Sequence, residues 1–305
     1  MPRAHAERRA CGVQTAWTCA DTSKAAVAEI AGVVDPADIG QILVFFSQPY
    51  EAEALSVALS EAFPGVPVAG CSTSGEITCD GFSERSILVV TFPKSGFRFV
   101  SGVIPEVRSL SVDRASEVVQ ALRARFDKEG GERHPNLFAI SLIDGLSRCE
   151  EAIVSAIAWA LGDVPLVGGS AGDGLTLSGT SLLHDGRVHR GAALLLLVET
   201  EHPVQSFCCD HFEPTNTKLV VTASDTSTRT VYELNAEPAA LEYASSVGLE
   251  PSSLAPMSFA AHPVVVRIGG DYYCRSIQRV NDDGSLSFFC AIDDGVVLTV
   301  AEPRD

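Results

Sequence analysis

The feature that most narrows what this chain can fold into is a repeat. Val66-Pro67-Val68-Ala69-Gly70-Cys71-Ser72 returns as Val164-Pro165-Leu166-Val167-Gly168-Gly169-Ser170. The register holds through both serines, and one gap then aligns Gly75-Glu76 with Gly172-Asp173. Upstream, Gln41 to Ser47 matches Asn136 to Leu142, each a continuous apolar run of strand length. Helical spacing follows in both places. Leu55, Leu59 and Phe63 fall on one face within 51–63, and Ile153, Ile157 and Leu161 do so within 149–161. Ser86 to Phe92 and Gly191 to Thr200 supply the next apolar strands in corresponding positions. Strand, helix, Val-Pro strand, glycine-rich turn and further strand therefore occur twice. The first ~200 residues are expected to form two βαβ-containing units that share a mixed sheet or face one another, with a helix over Ser111 to Lys128 between them. The period is far longer than that of a solenoid, so this is domain duplication.

Beyond Thr200 the character changes. Lys218 to Thr222, Ser224 to Ser227 and Val231 to Leu234 read as strand, turn and strand, and a short helix over Glu237 to Ser245 follows. After the loop punctuated by Pro251 and Pro256, Val264 to Ile268, Tyr272 to Val280, Leu286 to Ile292 and Val296 to Val300 read as a meander. Its turns are Gly269-Gly270-Asp271, Asn281 to Gly284 and Asp293-Asp294-Gly295. The expected fold class is α/β. Duplicated strand-helix-strand units form a mixed-sheet N-terminal domain over 1–204, with copies at about 12–105 and 106–204. A β-rich α+β domain follows over 205–305.

Composition removes several function classes. With 46% apolar and 20% charged residues the chain can bury a large core, which excludes disorder. Its longest apolar run, Ala192 to Val198, is far short of the ~20 residues a membrane helix needs. The basic N-terminus, Met1 to Arg9, has no apolar stretch behind it, so a secretory signal is not supported and a cytoplasmic location is expected. Nine cysteines without a Cys-x-x-Cys pair suit reduced thiols, most of them read as small core residues. A formal charge of −17 repels nucleic-acid phosphates and anionic lipid.

Three sets of residues could carry chemistry. Gly168-Gly169-Ser170-Ala171-Gly172 fits the Gly-x-Ser-x-Gly elbow of serine hydrolases, with His211 and Asp225 as triad partners. An elbow must feed a helix, however, and Leu175 to His189 reads as a hairpin. The first copy also breaks the pattern, so a tight turn is the preferred reading. Free backbone N–H groups in such turns suit a carboxylate ligand, and a small metabolite such as an amino acid could bind between the copies near Glu76 and Asp173. Those two acids serve equally well as turn caps. Among seven histidines no zinc spacing occurs. His211 lies in Phe207-Cys208-Cys209-Asp210-His211-Phe212, between aromatic residues that could wall an apolar pocket. His262 lies just before an apolar strand, with Arg267 near to meet a carboxylate. Either imidazole could be an axial haem ligand or a hydrogen-bonded structural histidine. His184 and His189 read as solvated residues of a polar hairpin.

The duplicated Val-Pro-x-x-Gly segments, Gly70 to Glu76, the stretch His211 to Tyr243 with Glu233 to Ala240, and the C-terminal meander resemble the FIST sensory domains of bacterial signalling proteins. Phe259-Ala260-Ala261-His262-Pro263, Tyr272 to Ile277 and Asp283 to Asp293 resemble the nitric-oxide-sensing haemoprotein branch of that family. The resemblance implies a FIST N-type domain and a FIST C-type domain, the latter incomplete at Asp305 because such proteins usually continue. It also implies a b-type haem that binds nitric oxide and controls a sensor histidine kinase or a cyclic-di-GMP synthase or phosphodiesterase, and it leaves room for a homodimer. The expected cofactor-binding residues are His262, His211, Arg267, Tyr272 and Arg275. His262 is favoured over His211 as the iron ligand, since the His211 position resembles FIST proteins generally.

Overall fold

The apolar runs become strands, and the periodic faces become helices packed on them, in a computed structural model that describes residues 4–130, 133–174, 179–207 and 211–304. The chain divides into two units, Met1–Ser206 and Phe207–Asp305.

The first unit begins with β1 (His5–Arg8), β2 (Gln14–Thr18), α1 (Ser23–Ala31), β3 (Ile39–Phe46), α2 (Ala52–Ala62) and β4 (Val68–Ser72). A small hairpin, β5 (Glu76–Thr78) and β6 (Gly81–Ser83), leads to β7 (Ile87–Pro93). The pattern then starts again with β8 (Phe97–Ile104), α3 (Val112–Glu129), β9 (Asn136–Asp144), α4 (Glu150–Leu161) and β10 (Leu166–Ala171). A second hairpin, β11 (Leu182–His184) and β12 (Arg187–His189), leads to β13 (Ala193–Thr200). Part of the expected hairpin region, residues 175–178, lies outside the described residues.

Sheet order makes the duplication explicit. One sheet runs β1-β2-β7-β3-β4-β11-β12 and the other β10-β9-β13-β8. In both, the Val-Pro strand is parallel to the strand before its helix, and the last strand of the copy is antiparallel to that same strand. β2 corresponds to β8 and α1 to α3, so the helix over residues 112–129 belongs to the second copy and does not lie between copies. Each of these helices starts at a hydroxyl cap: Thr22 accepts from Ala25 N–H and Ser111 from Arg114 N–H, both at 3.2 Å.

The two sheets face one another. Leu43, Ala69 and Cys71 meet Leu142, Ala171, Leu194 and Leu196 in one buried layer. The outer faces carry the helices: Ile30, Leu55 and Leu59 pack under the first sheet, and Val119, Ile153 and Ile157 under the second. β13 lies between β9 and β8 and is buried at every position, which accounts for the longest apolar run in the sequence.

The motif glycines have a different role from the expected turn. A Cβ on Gly70 would lie 2.0 Å from the Val44 carbonyl oxygen, and one on Gly168 would lie 1.9 Å from that of Ser141. Both glycines sit inside strands where the neighbouring backbone approaches too closely for any side chain. The two copies then diverge. The second copy's hairpin pairs through β11 with β4 of the first sheet, whereas β5 and β6 pair only with each other, leaving β10 at a sheet edge.

The second unit contains β14 (Phe212–Asp225), β15 (Thr230–Leu234), β16 (Glu237–Pro238), α5 (Ala239–Ser246), α6 (Pro256–Ala261), β17 (Val264–Ile268), β18 (Asp271–Arg275), β19 (Ile277–Val280), β20 (Leu286–Phe288) and β21 (Val297–Pro303). Its strand order is β18-β17-β21-β14-β15-β20-β19, with β16 on β15. The expected meander is corrected here. The run from Tyr272 to Val280 breaks at Ser276 into strands at the two ends of this row, so the sheet curls into a nearly closed barrel. The last strand inserts between β17 and β14, because Leu298 and Val300 complete the core formed by Leu219, Val221 and Val264. Tyr243, fully buried, fills the interior with Phe259 and Phe288.

The cysteines also depart from expectation. Among the seven described, only Cys71 is fully buried, and Cys19, Cys79 and Cys274 are exposed. Burial pushes the Cys71 thiol up to about 12.

Gly70→Ala and Gly168→Ala are each expected to destabilise the protein by more than about 2 kcal/mol, since rigid backbone must move. Gly169→Ala, with open space at its Cβ, is expected to cost under about 0.5 kcal/mol. Urea unfolding of the three variants checks this.

Candidate functional site

Register places each histidine and arginine singled out in the C-terminal unit. His262 ends α6, where its N–H donates to the Ser258 carbonyl at 3.0 Å and its own carbonyl accepts from the Tyr243 hydroxyl at 2.7 Å. Its side chain is half-buried, and no hydrogen bond from its ring occurs among the described residues. His211 is exposed and tilted against Phe212 at 4.0 Å, and its carbonyl accepts from Arg304 N–H at 2.7 Å. Pro263 accepts from Ala301 N–H at 2.8 Å, so the two histidines flank the same end of β21 from opposite sides. Cys208, Cys209 and Asp210, part of the expected aromatic pocket beside His211, lie outside the described residues.

The β17–β18 hairpin separates the other three residues. Opposed cross-strand residues share a face. Arg275 lies opposite Val264 and Tyr273 opposite Val266, on one face of the hairpin, where Val264 is buried and Tyr273 exposed. Arg267 and Tyr272 lie opposite one another on the other face, with the guanidinium 5.9 Å from the ring centroid. Arg275 donates to the Cys274 carbonyl at 3.0 Å.

In the N-terminal unit, residues from both copies line one cleft of 320 Å³. It opens at the carboxyl ends of the parallel strands β3 and β4, the end at which α/β sheets commonly bind ligands. The first copy contributes Gln48 and Tyr50, which lead into α2, with Ser72 and Thr73. The second copy contributes Asp173, Ser181 and Arg190. Glu51 starts α2 without a side-chain cap, and Glu53 follows in its first turn. The two motif turns are tied together: Gly172 N–H donates to the Ser72 carbonyl at 2.9 Å, and Gly174 N–H to Ser74 Oγ at 3.2 Å.

The matched acids behave differently. Glu76 is buried and its carboxylate accepts from the hydroxyls of Ser47, Thr73 and Ser86, which makes it a structural anchor beneath the cleft. Asp173, also buried, accepts from Gly179 N–H at 2.9 Å and lines the cleft itself. Burial, reinforced by Cys19 and Glu76, pushes the Tyr50 hydroxyl up to about 12. Tyr50 and Arg190 carry no motif and come from segments far apart in sequence.

The triad geometry fails. His211 precedes β14 and Asp225 ends it, so a strand of 14 residues separates them, about 40 Å at ~3.3 Å per residue. Asp225 is also engaged by Ser227, whose backbone N–H and hydroxyl hold its carboxyl below the ordinary range. Ser170 lies inside β10, and the chain leaves that strand at Gly172 as a turn. No cluster of three or more metal-ligating side chains occurs among the described residues. The hairpin histidines are not solvated as expected. His184 bonds Ser101 Oγ at 2.9 Å, and His189 Nε2 is buried without a partner.

A duplicated α/β sandwich whose cleft draws on both copies, in one chain with a barrel-like β unit, defines a ligand-binding architecture. The chain belongs to the FIST family, whose domains are signalling sensors: the FIST N domain matches residues 41–237 and the FIST C domain residues 239–305. The boundary between the two matches falls within the second structural unit, so the family's N domain includes β14 and β15 of the barrel-like sheet. No curated protein matches the chain. No helix among the described residues is long and apolar enough to cross a membrane.

Burial is the first cause that holds the His184 imidazole below its ordinary range. His189 and Arg125 act in the same direction and Asp185 opposes them. As pH falls, the unfolded chain takes up this proton before the folded one. The stability that neutral His184 contributes is therefore intact above ~6.5 and declines below it. Urea unfolding between about pH 5 and 8 should show a steeper acid-side loss for wild type than for His184→Gln. Parallel curves would rule out this linkage.

Proposed function

We propose that this FIST protein is a cytoplasmic signal sensor that holds haem b through His262 and detects nitric oxide, acting on a partner histidine kinase or cyclic-di-GMP enzyme. The observation that carries the reading is the His262 imidazole, half-buried and without a hydrogen-bond partner among the described residues. An axial ligand needs a neutral imidazole whose nitrogen is not already engaged. The donor set fits in a second respect. Arg275 and Arg267 stand on opposite faces of the adjacent hairpin, so a guanidinium is available to a propionate on either side. When bound, the haem supplies an iron centre able to take up nitric oxide. The protein's part is to orient the imidazole, and the Tyr243 hydroxyl on the His262 carbonyl ties that orientation to the barrel core. Haem-reconstituted protein is expected to show a Soret band that shifts with nitric oxide, and His262→Ala to weaken haem binding about tenfold or more while His211→Ala does not. An unchanged spectrum and affinity in His262→Ala would reject this ligand.

The two-copy cleft favours a second reading, a sensor of a small metabolite such as an amino acid. The cleft offers both charges such a molecule needs: Arg190 for a carboxylate and Asp173 for an ammonium. Arg190 also pairs with Glu53 at 2.9 Å, an exposed ion pair that a ligand carboxylate could exchange at little cost. Calorimetric titration of the colourless protein with an amino-acid panel is expected to find a binder that Arg190→Gln weakens about tenfold. A panel without a binder would end this reading and leave the haem reading untouched.

A further inference from the structure

The hairpin of the first copy, β5 and β6, has no place in either large sheet, although its counterpart in the second copy extends one. It closes instead, against β1 and β2, a cavity of 280 Å³. Two links hold it there. Glu76 anchors its root through the hydroxyls of Ser47 and Ser86, and Ser83 Oγ lies 3.3 Å from Sγ of Cys19, just past β2.

Three aromatic rings line this cavity. His5 and Trp17, directly opposed on β1 and β2, stack at 5.3 Å with 19° between their planes. The hairpin contributes Phe82, 66% exposed, whose ring lies against the backbone at Gly75: a Cβ there would come within 2.4 Å of Phe82 Cζ. The turn between β5 and β6 presents Asp80. Its N–H donates to Thr78 Oγ1 at 3.2 Å, and that hydroxyl donates to the Gly81 carbonyl at 3.1 Å. Asp80 is the one carboxylate of the lining, and no lysine or arginine joins it there. His5 Nδ1 lies 3.6 Å from Asp80 Oδ2, a contact that offsets the negative charge only when the imidazole is protonated.

We infer that this cavity binds a small quaternary ammonium compound, with the cation against the rings of Phe82, His5 and Trp17 and Asp80 as its countercharge. Ring faces attract a cation through their quadrupole, and a nitrogen covered by methyl groups asks for no hydrogen-bond acceptor. A primary ammonium brings three N–H donors to satisfy. The lining is poor in acceptors for them, because the Thr18 and Thr78 hydroxyls already engage Glu29 and the Gly81 carbonyl. An anionic ligand would meet Asp80 with like charge, and the field of a chain of formal charge −17 concentrates cations near its surface. The volume, just under the ~300–1,000 Å³ of drug-sized pockets, suits a compact ligand such as choline.

The test is calorimetric titration of the full chain, free of haem, at about pH 8, where free imidazole is uncharged. Choline is the probe. Dimethylbutanol, its uncharged carbon isostere, and ethanolamine, which keeps the charge without the methyl groups, are the controls. Choline is expected to bind about tenfold more tightly than either. Asp80→Asn and Phe82→Leu, both at exposed side chains, should each weaken it about fivefold or more at unchanged melting temperature. His262→Ala and Arg190→Gln should leave this binding intact, which separates it from the sites proposed above. Phosphatidylcholine vesicles, which carry the same group on a lipid surface, should not sediment the protein. The inference is overturned if choline does not bind, if either control binds as well as choline, if both cavity variants bind as wild type does, or if the vesicles bind and free choline does not.

Discussion

The apolar layer between the two sheets of the N-terminal unit is the contact on which that unit's other features depend. Leu43, Ala69 and Cys71 on one sheet and Leu142, Leu194 and Leu196 on the other fill the middle of that layer with apolar side chains. Carboxylates and charged groups gather at the strand ends, where the cleft lined by both copies opens. Each Å² of apolar area buried in the layer contributes ~25 cal/mol, while the ends remain free to vary in chemistry. The duplication therefore sets an apolar middle with polar rims.

The parts of the fold legible in the sequence are those written in local periodicity. β3 and β9 show as apolar runs and α2 and α4 as faces repeating every four residues, and the structure places them in equivalent positions. α1 carries no comparable signal, because Ser23 to Ala31 is mostly small residues with a weak apolar face. Without α1 as its counterpart, the sequence of α3 reads as an intervening helix. The glycines of the repeated motif resemble turn formers in sequence, because a close approach by the next strand's carbonyl is a tertiary fact, invisible in the residues beside them. His184 and His189 looked solvated among Asp185, Gly186 and Arg187, yet pairing of the hairpin with β4 draws both imidazoles inward.

The same division runs through the C-terminal unit. Its strands were legible, but their order was not, since β21 joins strands more than thirty and seventy residues back in the chain. Closure of the row through Ser276 decides which face each residue occupies, and so separates Arg267 and Tyr272 from Arg275 although the three lie within nine residues of sequence. Motif resemblance named the residues; only register shows which of them can act together. In the cleft the situation is reversed. The serines of the repeat marked the region, while Tyr50 and Arg190 reach it through chain segments that no local pattern connects.

The crossing hairpin has a consequence for how the protein is made. β4 needs β11 as its outer neighbour, and Leu182 pairs with Cys71 across about 110 residues of sequence. A ribosome adding ~5–20 residues per second delivers that partner roughly 5–20 s after β4 has emerged. Throughout that interval the first copy has a bare backbone edge beside Val68, Ala69 and Cys71, all apolar and all destined for burial. The nascent first half is the form of this protein most exposed to aggregation, and the second half acts as its cover before it takes any part in signalling.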